Sequence, residues 1–449
     1  MKKVVTATAS AVILAGVFAA PGIVGTYTKN RLDSLIDSLQ TPEIQLSWES
    51  YKKGWFGAEA VLNTRMTIEV AADAEPVVLN VQSKVSITHG PVILNDGIQL
   101  GWAGWNSEII NTEELGASLG LSGQSVYRMD GHVNLLGTIK FSESIPALAF
   151  SNHEFKVEFN GYQSQGSLDG NHLDYRGRVE SLTAEHIDIP VPASLTGLTV
   201  SVNGALPEGN ELLPGDYSMT VDDLKIGDLF VADGLEIFAS TELNEQASAA
   251  DLTIRYSANR LQTPQTLLTD TELELSINNY SIAFNRAYTK ALEELFYKHG
   301  DMALVGLEAP AIFEQHLDKL LASKPEIEVT KATFTLPEGT FSSRVNLKLA
   351  NYDVSDVQLN SPVFLLENLN IDAYAEADKM LAEKMAAQVA TGQMVDTVPE
   401  AIAQNMGDLM IEMLTAEKMI ILQNDKYTAN LSMTNGVTTA NGQPLPLDL

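Results

Sequence analysis

Apolar and polar residues alternate with a period of two along most of this chain, which predicts strands. Val85 and Ile87 stand among polar neighbours, and Phe155, Val157 and Phe159 alternate with Glu154, Lys156 and Glu158. Leu252, Ile254 and Tyr256, and then Leu273, Leu275 and Ile277, repeat the pattern. Helical spacing interrupts it. Leu32, Leu35, Ile36 and Leu39 predict a helix over Thr28–Leu39, closed by Pro42. Asn285–Ser323 reads as a helical block broken at Gly300 and around Gly306–Pro310. Two more helices are predicted at Ala373–Ala390 and Pro399–Thr415. Asp169-Gly170-Asn171 marks one hairpin turn, and Asn435-Gly436 joins Tyr427–Met433 to Val437–Ala440 in another. Ile187–Leu213, rich in Pro and Gly, reads as a loop-rich seam between two halves.

Strands with one apolar face are antiparallel and packed on one side, and a large sheet of them coils. The expected fold is therefore α+β and β-dominated, a long curved antiparallel sheet with several helices packed on its concave face. One N-terminal transmembrane helix is expected to precede it. Lys2 and Lys3 come before a mostly apolar run from Val4 to Val24, and about 20 such residues span a bilayer. The alternative is a cleaved signal peptide with Val17-Phe18-Ala19 at the cleavage site. The organisation read from this is an anchor or signal segment at 1–28 and a first β-rich half at 29–213. A second half at 214–449 holds strands, the helical block and a repeated hairpin unit.

That repeat rests on an echo. Pro42-Glu43-Ile44 leads to Gly54-Trp55-Phe56-Gly57, and Pro325-Glu326-Ile327 leads to Gly339-Thr340-Phe341-Ser342. Each copy follows a helical pattern, so 29–70 and 313–350 are expected to form the same helix and hairpin. Gly54 permits a tight turn, and Trp55 or Phe56 is expected to anchor it into the apolar face. His89-Gly90-Pro91 ends a strand, with the His89 ring expected to bond a turn carbonyl.

Charge and chemistry narrow the function. With 28 basic and 58 acidic side chains the formal charge is -30, which opposes binding to nucleic acid or anionic lipid through charge. Absence of cysteine excludes disulfides, thiolate zinc sites and Cys nucleophiles. Gly116-Ala117-Ser118-Leu119-Gly120 matches the serine-hydrolase pattern, but no hydrophobic strand precedes it and no Asp and His stand out after it. The glycines read as close packing. The histidines, His89, His132, His153, His172, His186, His299 and His316, form no local metal motif. Asp222-Asp223 and Glu293-Glu294 read as solvated surface. No catalytic, metal or cofactor-binding residue is expected, and the chain is not expected to be an enzyme. Met380, Met385, Met394, Met406, Met410, Met413 and Met419 crowd the C-terminal region. Met406, Met410 and Met413 are candidates for an apolar groove taking an acyl chain or a partner helix. Ordinary core filling is the plainer reading.

Ser50-Tyr51-Lys52-Lys53-Gly54-Trp55-Phe56, Ile87-Thr88-His89-Gly90-Pro91 and Asn441-Gly442-Gln443-Pro444-Leu445, with the N-terminal apolar segment, resemble the YdgA-like family of bacterial envelope proteins. Members of that family usually carry Arg where Lys53 stands and small hydroxyl residues where Gly57 and Ala58 stand. The resemblance implies the inner membrane with the bulk in the periplasm, and a homo-oligomer. It brings no catalytic residues. The resulting expectation is a membrane-tethered periplasmic protein acting by binding or assembly, with the bilayer as partner through the N-terminal helix. The alternatives are a carrier of an acyl chain or other amphiphile, a hydrophobic ligand, and, remotely, a serine hydrolase using Ser118.

Overall fold

The computed structural model describes residues 29–30, 33, 36–37, 40, 44–68, 77–93, 98–110, 127–151, 155–186, 191–205, 212–299, 302–350, 352–354, 364, 367–391 and 399–445. The chain divides into two compact units, residues 1–206 and 207–449.

The first unit is a meander of hairpins. Its strands are β1 (Ile44–Lys53), β2 (Gly57–Ile68), β3 (Val77–His89), β4 (Val92–Ile93), β5 (Gln99–Ile109) and β6 (Arg128–Asn134). They continue with β7 (Ile139–Ile145), β8 (Leu148–Ser151), β9 (Phe155–Phe159), β10 (Tyr162–Asp169), β11 (His172–His186) and β12 (Ala193–Ala205). Antiparallel pairing runs β1–β2–β3–β5–β6–β7–β10–β11–β12. The long β11 pairs β10 along its first half and β9 along its second. Helical residues 29, 30, 33, 36 and 37 precede β1. They are tied to it by Trp48 Nε1, which donates to Asp33 Oδ1 at 3.0 Å.

A small aliphatic core of Ala58, Ala60, Val85 and Ile87 lies under Trp48, Tyr51, Leu62 and Trp105. From Trp105 onward the same face is held differently. Trp105, Gly131, Phe141, Gly166 and Tyr175 face one another in register across β5, β6, β7, β10 and β11, aromatic and glycine alternating. Strands two apart lie roughly 9.6 Å from each other. Phe141 and Tyr175 nevertheless stack with ring centroids 6.1 Å apart, the Phe141 ring lying over Gly166 in the space a side chain would fill. A Cβ on Gly166 would run into the Phe141 ring, and one on Gly131 into the Trp105 indole.

The second unit holds β13 (Gly215–Ile226), β14 (Phe230–Leu243), β15 (Ala249–Gln262), β16 (Leu267–Ser281), β17 (Glu326–Leu336), β18 (Gly339–Leu349) and β19 (Leu369–Asp378). After them come β20 (Ile421–Gln423), β21 (Lys426–Thr434), β22 (Val437–Ala440) and β23 (Gln443–Pro444). These pair in sequence order to β19, which then takes β21. Helices α1 (Ile282–His299) and α2 (Met302–Ala322) interrupt the meander after β16. Helices α3 (Lys379–Thr391) and α4 (Glu400–Ala416) interrupt it after β19. Ser281 opens α1, its hydroxyl accepting from the Phe284 amide at 3.2 Å. Phe284 is buried among Tyr280, Tyr288 and Phe313. A second core joins α3, α4 and β21 through Ala386, Ile411 and Tyr427.

Several expectations need correction. Among the described residues no helix is long and apolar enough to cross a membrane. The longest, α2, carries Glu308, Glu314, Asp318 and Lys319. The expected anchor at 1–28 lies outside the described residues. No described helix therefore supplies the expected transmembrane helix, the bilayer as partner through it or the inner-membrane tether, and none of the three is carried further. Nor is there a curved trough filled by helices. Among the described residues no strand pairing closes the sheet of either unit, and neither is strongly curled. Met219, Ile237, Tyr256 and Leu273 form one register row across β13–β16, and each is more than a third exposed.

Smaller differences have local causes. The loop-rich seam contains β12, whose Leu198, Val200 and Val202 alternate despite the surrounding prolines and glycines. Ala373–Asp378 belongs to β19 rather than a helix, paired on both sides by β18 and β21. That pairing overrides the helix propensity of its alanines. Helix α2 runs through Gly306 and Pro310, both exposed. Both echo copies form helical residues, strand, turn and strand, but Gly54-Trp55-Phe56 makes the turn itself. Gly339 and Phe341 lie on β18, where Phe341 stacks on Phe334 at 5.1 Å.

The aromatic–glycine row makes a direct prediction. In urea unfolding, Gly166→Val should lose about 1–3 kcal/mol through overpacking against Phe141. Gly306→Ala, whose new methyl meets nothing within 4 Å, should gain up to about 1 kcal/mol from helix propensity. Equal midpoints for Gly166→Val and wild type would mean that the row does not hold the sheet.

Candidate functional site

The sequence-selected residues of the first unit meet at one corner. Between β1 and β2 the chain reverses at Gly54-Trp55-Phe56, with the Gly54 amide donating to the Gly57 carbonyl at 2.7 Å. The next hairpin brings His89 beneath this turn. Its amide donates to the Phe56 carbonyl at 2.8 Å, and its Nδ1 faces the Trp55 carbonyl at 3.4 Å. His89 is 2% exposed, and its Nε2 is buried with no hydrogen-bond partner among the described residues. Burial pushes its pKa below the ordinary 6.5, and the Lys53 charge acts in the same direction.

Gly90 and Pro91, joined by a cis peptide bond, lie flat against β5. The Gly90 amide donates to the Trp102 carbonyl at 2.7 Å, and Gly101 donates to the Pro91 carbonyl at 3.0 Å. Only a glycine fits at position 90, because a Cβ would overlap the Gly101 and Trp102 carbonyl oxygens. Ile93 is fully buried behind this contact. The neighbouring turn, Leu135–Gly137, is built on Asn134, whose Oδ1 accepts from the Leu136 and Thr138 amides at 2.9 and 3.0 Å. Trp102 Nε1 fastens it by donating to the Leu135 carbonyl at 3.1 Å.

Outside this hydrogen-bonded frame the surface is apolar. Trp55 is 58% exposed, Phe56 54%, Trp102 47%, Leu100 62% and Leu136 91%. The expectation that Trp55 or Phe56 anchors its turn into the apolar face is thus reversed. His89 does the anchoring, while both aromatics point to solvent. Sequence reading missed Leu100, Trp102 and Leu136, and only their membership of a turn-bounded edge could have signalled them.

A second polar cluster lies on the opposite side of the aromatic row. Glu143 accepts from Tyr127 at 2.9 Å, Ser164 at 2.8 Å and Tyr175 at 3.2 Å, and Tyr175 also bonds Tyr162. Burial, with the neighbouring Glu143 charge, drives the Tyr127 phenol well above its usual range. Burial and the Tyr162 bond do the same for Tyr175. A tyrosine acting as base or nucleophile needs the opposite shift. The cluster is therefore suited to satisfying a carboxylate within the sheet. Beside it, a cleft of about 400 Å³ mixes Glu108, Arg128, Gln163 and Glu180 with Ile145, Pro146 and Tyr162, not the predominantly apolar lining that an acyl chain needs.

The remaining candidates scatter. Met406 and Met413 are exposed on α4, whereas Met410 packs against Ile411 and its neighbours. These three do not enclose a groove, so the amphiphile carrier and its hydrophobic ligand are withdrawn. The expected homo-oligomer has no observation beneath it and is withdrawn too. Ser118 lies outside the described residues. Among those described, no group of three or more His, Asp or Glu is placed to hold a metal ion.

The corner carries a pH signature. The unfolded chain protonates His89 near 6.5, whereas the folded chain resists until lower pH. Stability is therefore full above 6.5 and declines as pH falls through the folded value. An NMR titration of the His89 imidazole should inflect below 6.5; an inflection at or above it would contradict this burial.

No curated protein and no solved structure matches the chain. A family model described as a bacterial protein of unknown function, DUF945, matches residues 1–448, in keeping with the YdgA-like resemblance. The chain belongs to that family.

Proposed function

We propose that this protein is a non-catalytic binding module for another protein, and that the His89 corner is its working surface. The carrying observation is the combination of a rigid backbone frame with large exposed apolar side chains. Ordering flexible side chains on binding costs about 0.5–1.5 kcal/mol each, and Trp and Phe fixed on hydrogen-bonded turns have less to lose. Aromatic residues of this kind dominate the energetics of protein interfaces. Isolated exposed apolar residues need no explanation, but five large ones carried by one hydrogen-bonded frame do. The upward shifts of the Tyr127 and Tyr175 phenols support the non-catalytic part of the reading.

The test uses a photo-crosslinking amino acid in place of Phe56 in growing cells, with Thr263, an exposed turn residue of the other unit, as control position. Discrete protein adducts are expected from position 56 and not from 263. They should disappear when Trp102→Ala and Leu136→Ser are added. Equal adducts at both positions, or adducts at 56 that survive the two substitutions, would sink the proposal.

A further inference from the structure

Helix α4 presents two apolar faces, and among the described residues only one is covered. Its inner face packs through Gly407, Met410 and Ile411 toward α3. A Cβ on Gly407 would overlap the Ala387 backbone, so the two helices cross in close contact and α4 is held in one rotation. The opposite face carries Ile402, Met406, Leu409 and Met413, separated alternately by four and three residues. At about 100° per residue these fall in a single narrow stripe, the seam geometry of one helix against another. Their exposures are 50%, 41%, 67% and 57%.

The charges beside the stripe select its occupant. Asp408 and Glu412 run along one side and Glu417 stands at its C-terminal end, all exposed and all without an ion-pair partner among the described residues. The helix contains no Lys or Arg. The nearest cations of the packed elements are already engaged, Lys379 with Glu383, Lys384 with Glu338 and Lys426 with Glu376; Lys418 follows the helix. The negative end of the helix dipole adds to the same field. A second copy of α4 would bring Asp408 and Glu412 against like charges, which disfavours self-pairing.

We infer that the outer face of α4 docks a basic amphipathic helix, apolar along its centre and lined by Lys or Arg. Two flexible methionines in the stripe let it accept differing apolar side chains. This surface belongs to the second unit and does not rest on the His89 corner.

The test is fluorescence anisotropy of the full chain with a labelled Leu/Lys amphipathic helical peptide and with the same peptide carrying Glu for Lys. The basic peptide should bind, weakening as salt rises, and the acidic one should bind at least about tenfold more weakly. Leu409→Gln with Met413→Gln should lower affinity about tenfold or more, with circular dichroism confirming an unchanged fold. Asp408→Asn with Glu412→Gln should weaken binding severalfold and flatten its salt dependence. Leu136→Ser, at the other surface, should change nothing. The inference is overturned if the stripe variants bind normally, if both peptides bind equally, or if Leu136→Ser alone removes binding. It is also overturned if sedimentation finds a dimer that the stripe variants dissociate, since a second copy would then cover the face.

Discussion

A side-chain period of two, imposed on sheets that among the described residues have no second layer over much of their area, is the constraint from which the rest of this structure follows. Where no partner layer exists, each register row must find its contacts sideways, along the sheet rather than across a core. The aromatic–glycine row of the first unit is one solution. Omitting every second side chain lets Trp105, Phe141 and Tyr175 spread over the gaps and reach toward one another. The Glu143 cluster is the polar version of the same solution, with Tyr127, Ser164 and Tyr175 converging laterally on one carboxylate. In the second unit the row through Met219, Ile237, Tyr256 and Leu273 finds less cover and remains partly open.

The same constraint explains why the apolar surfaces of interest sit on turns and on an outer helix. Side chains at the end of a sheet have neighbours on one side only. Trp55, Phe56 and Leu136 therefore stay exposed even though the backbone beneath them is firmly hydrogen-bonded. Helix α4, lying on α3, has a layer beneath it and, among the described residues, none above.

Much of this was legible wherever local chemistry decides the outcome. Asn435-Gly436 closes β21 onto β22 with both residues at positive φ, as its composition demanded. His89 meets a turn carbonyl, as its place before Gly90-Pro91 implied. Reading failed where tertiary context outweighs the local signal. The alanines of β19 prefer helix but have a strand on each side. The Pro- and Gly-rich surroundings of β12 hid the alternation of Leu198, Val200 and Val202. Exposure of Trp55 and Phe56 had no sequence signal, because an aromatic beside a turn glycine can point either way. His89 occupies the inward position, and that settles which way they point.

Pairing in sequence order also governs how such a chain is built. Almost every strand meets its partner as soon as one more hairpin has been made, so loop closure costs little entropy at each step. The exceptions among the described residues are few, with β5 reaching past β4 to β3, β10 reaching back to β7, β9 pairing with β11, and β21 reaching back to β19. A protein synthesised this way always ends in a raw strand edge that awaits the next segment, and such edges recruit other chains. Its formal charge of -30 repels neighbouring nascent copies while each edge is still open.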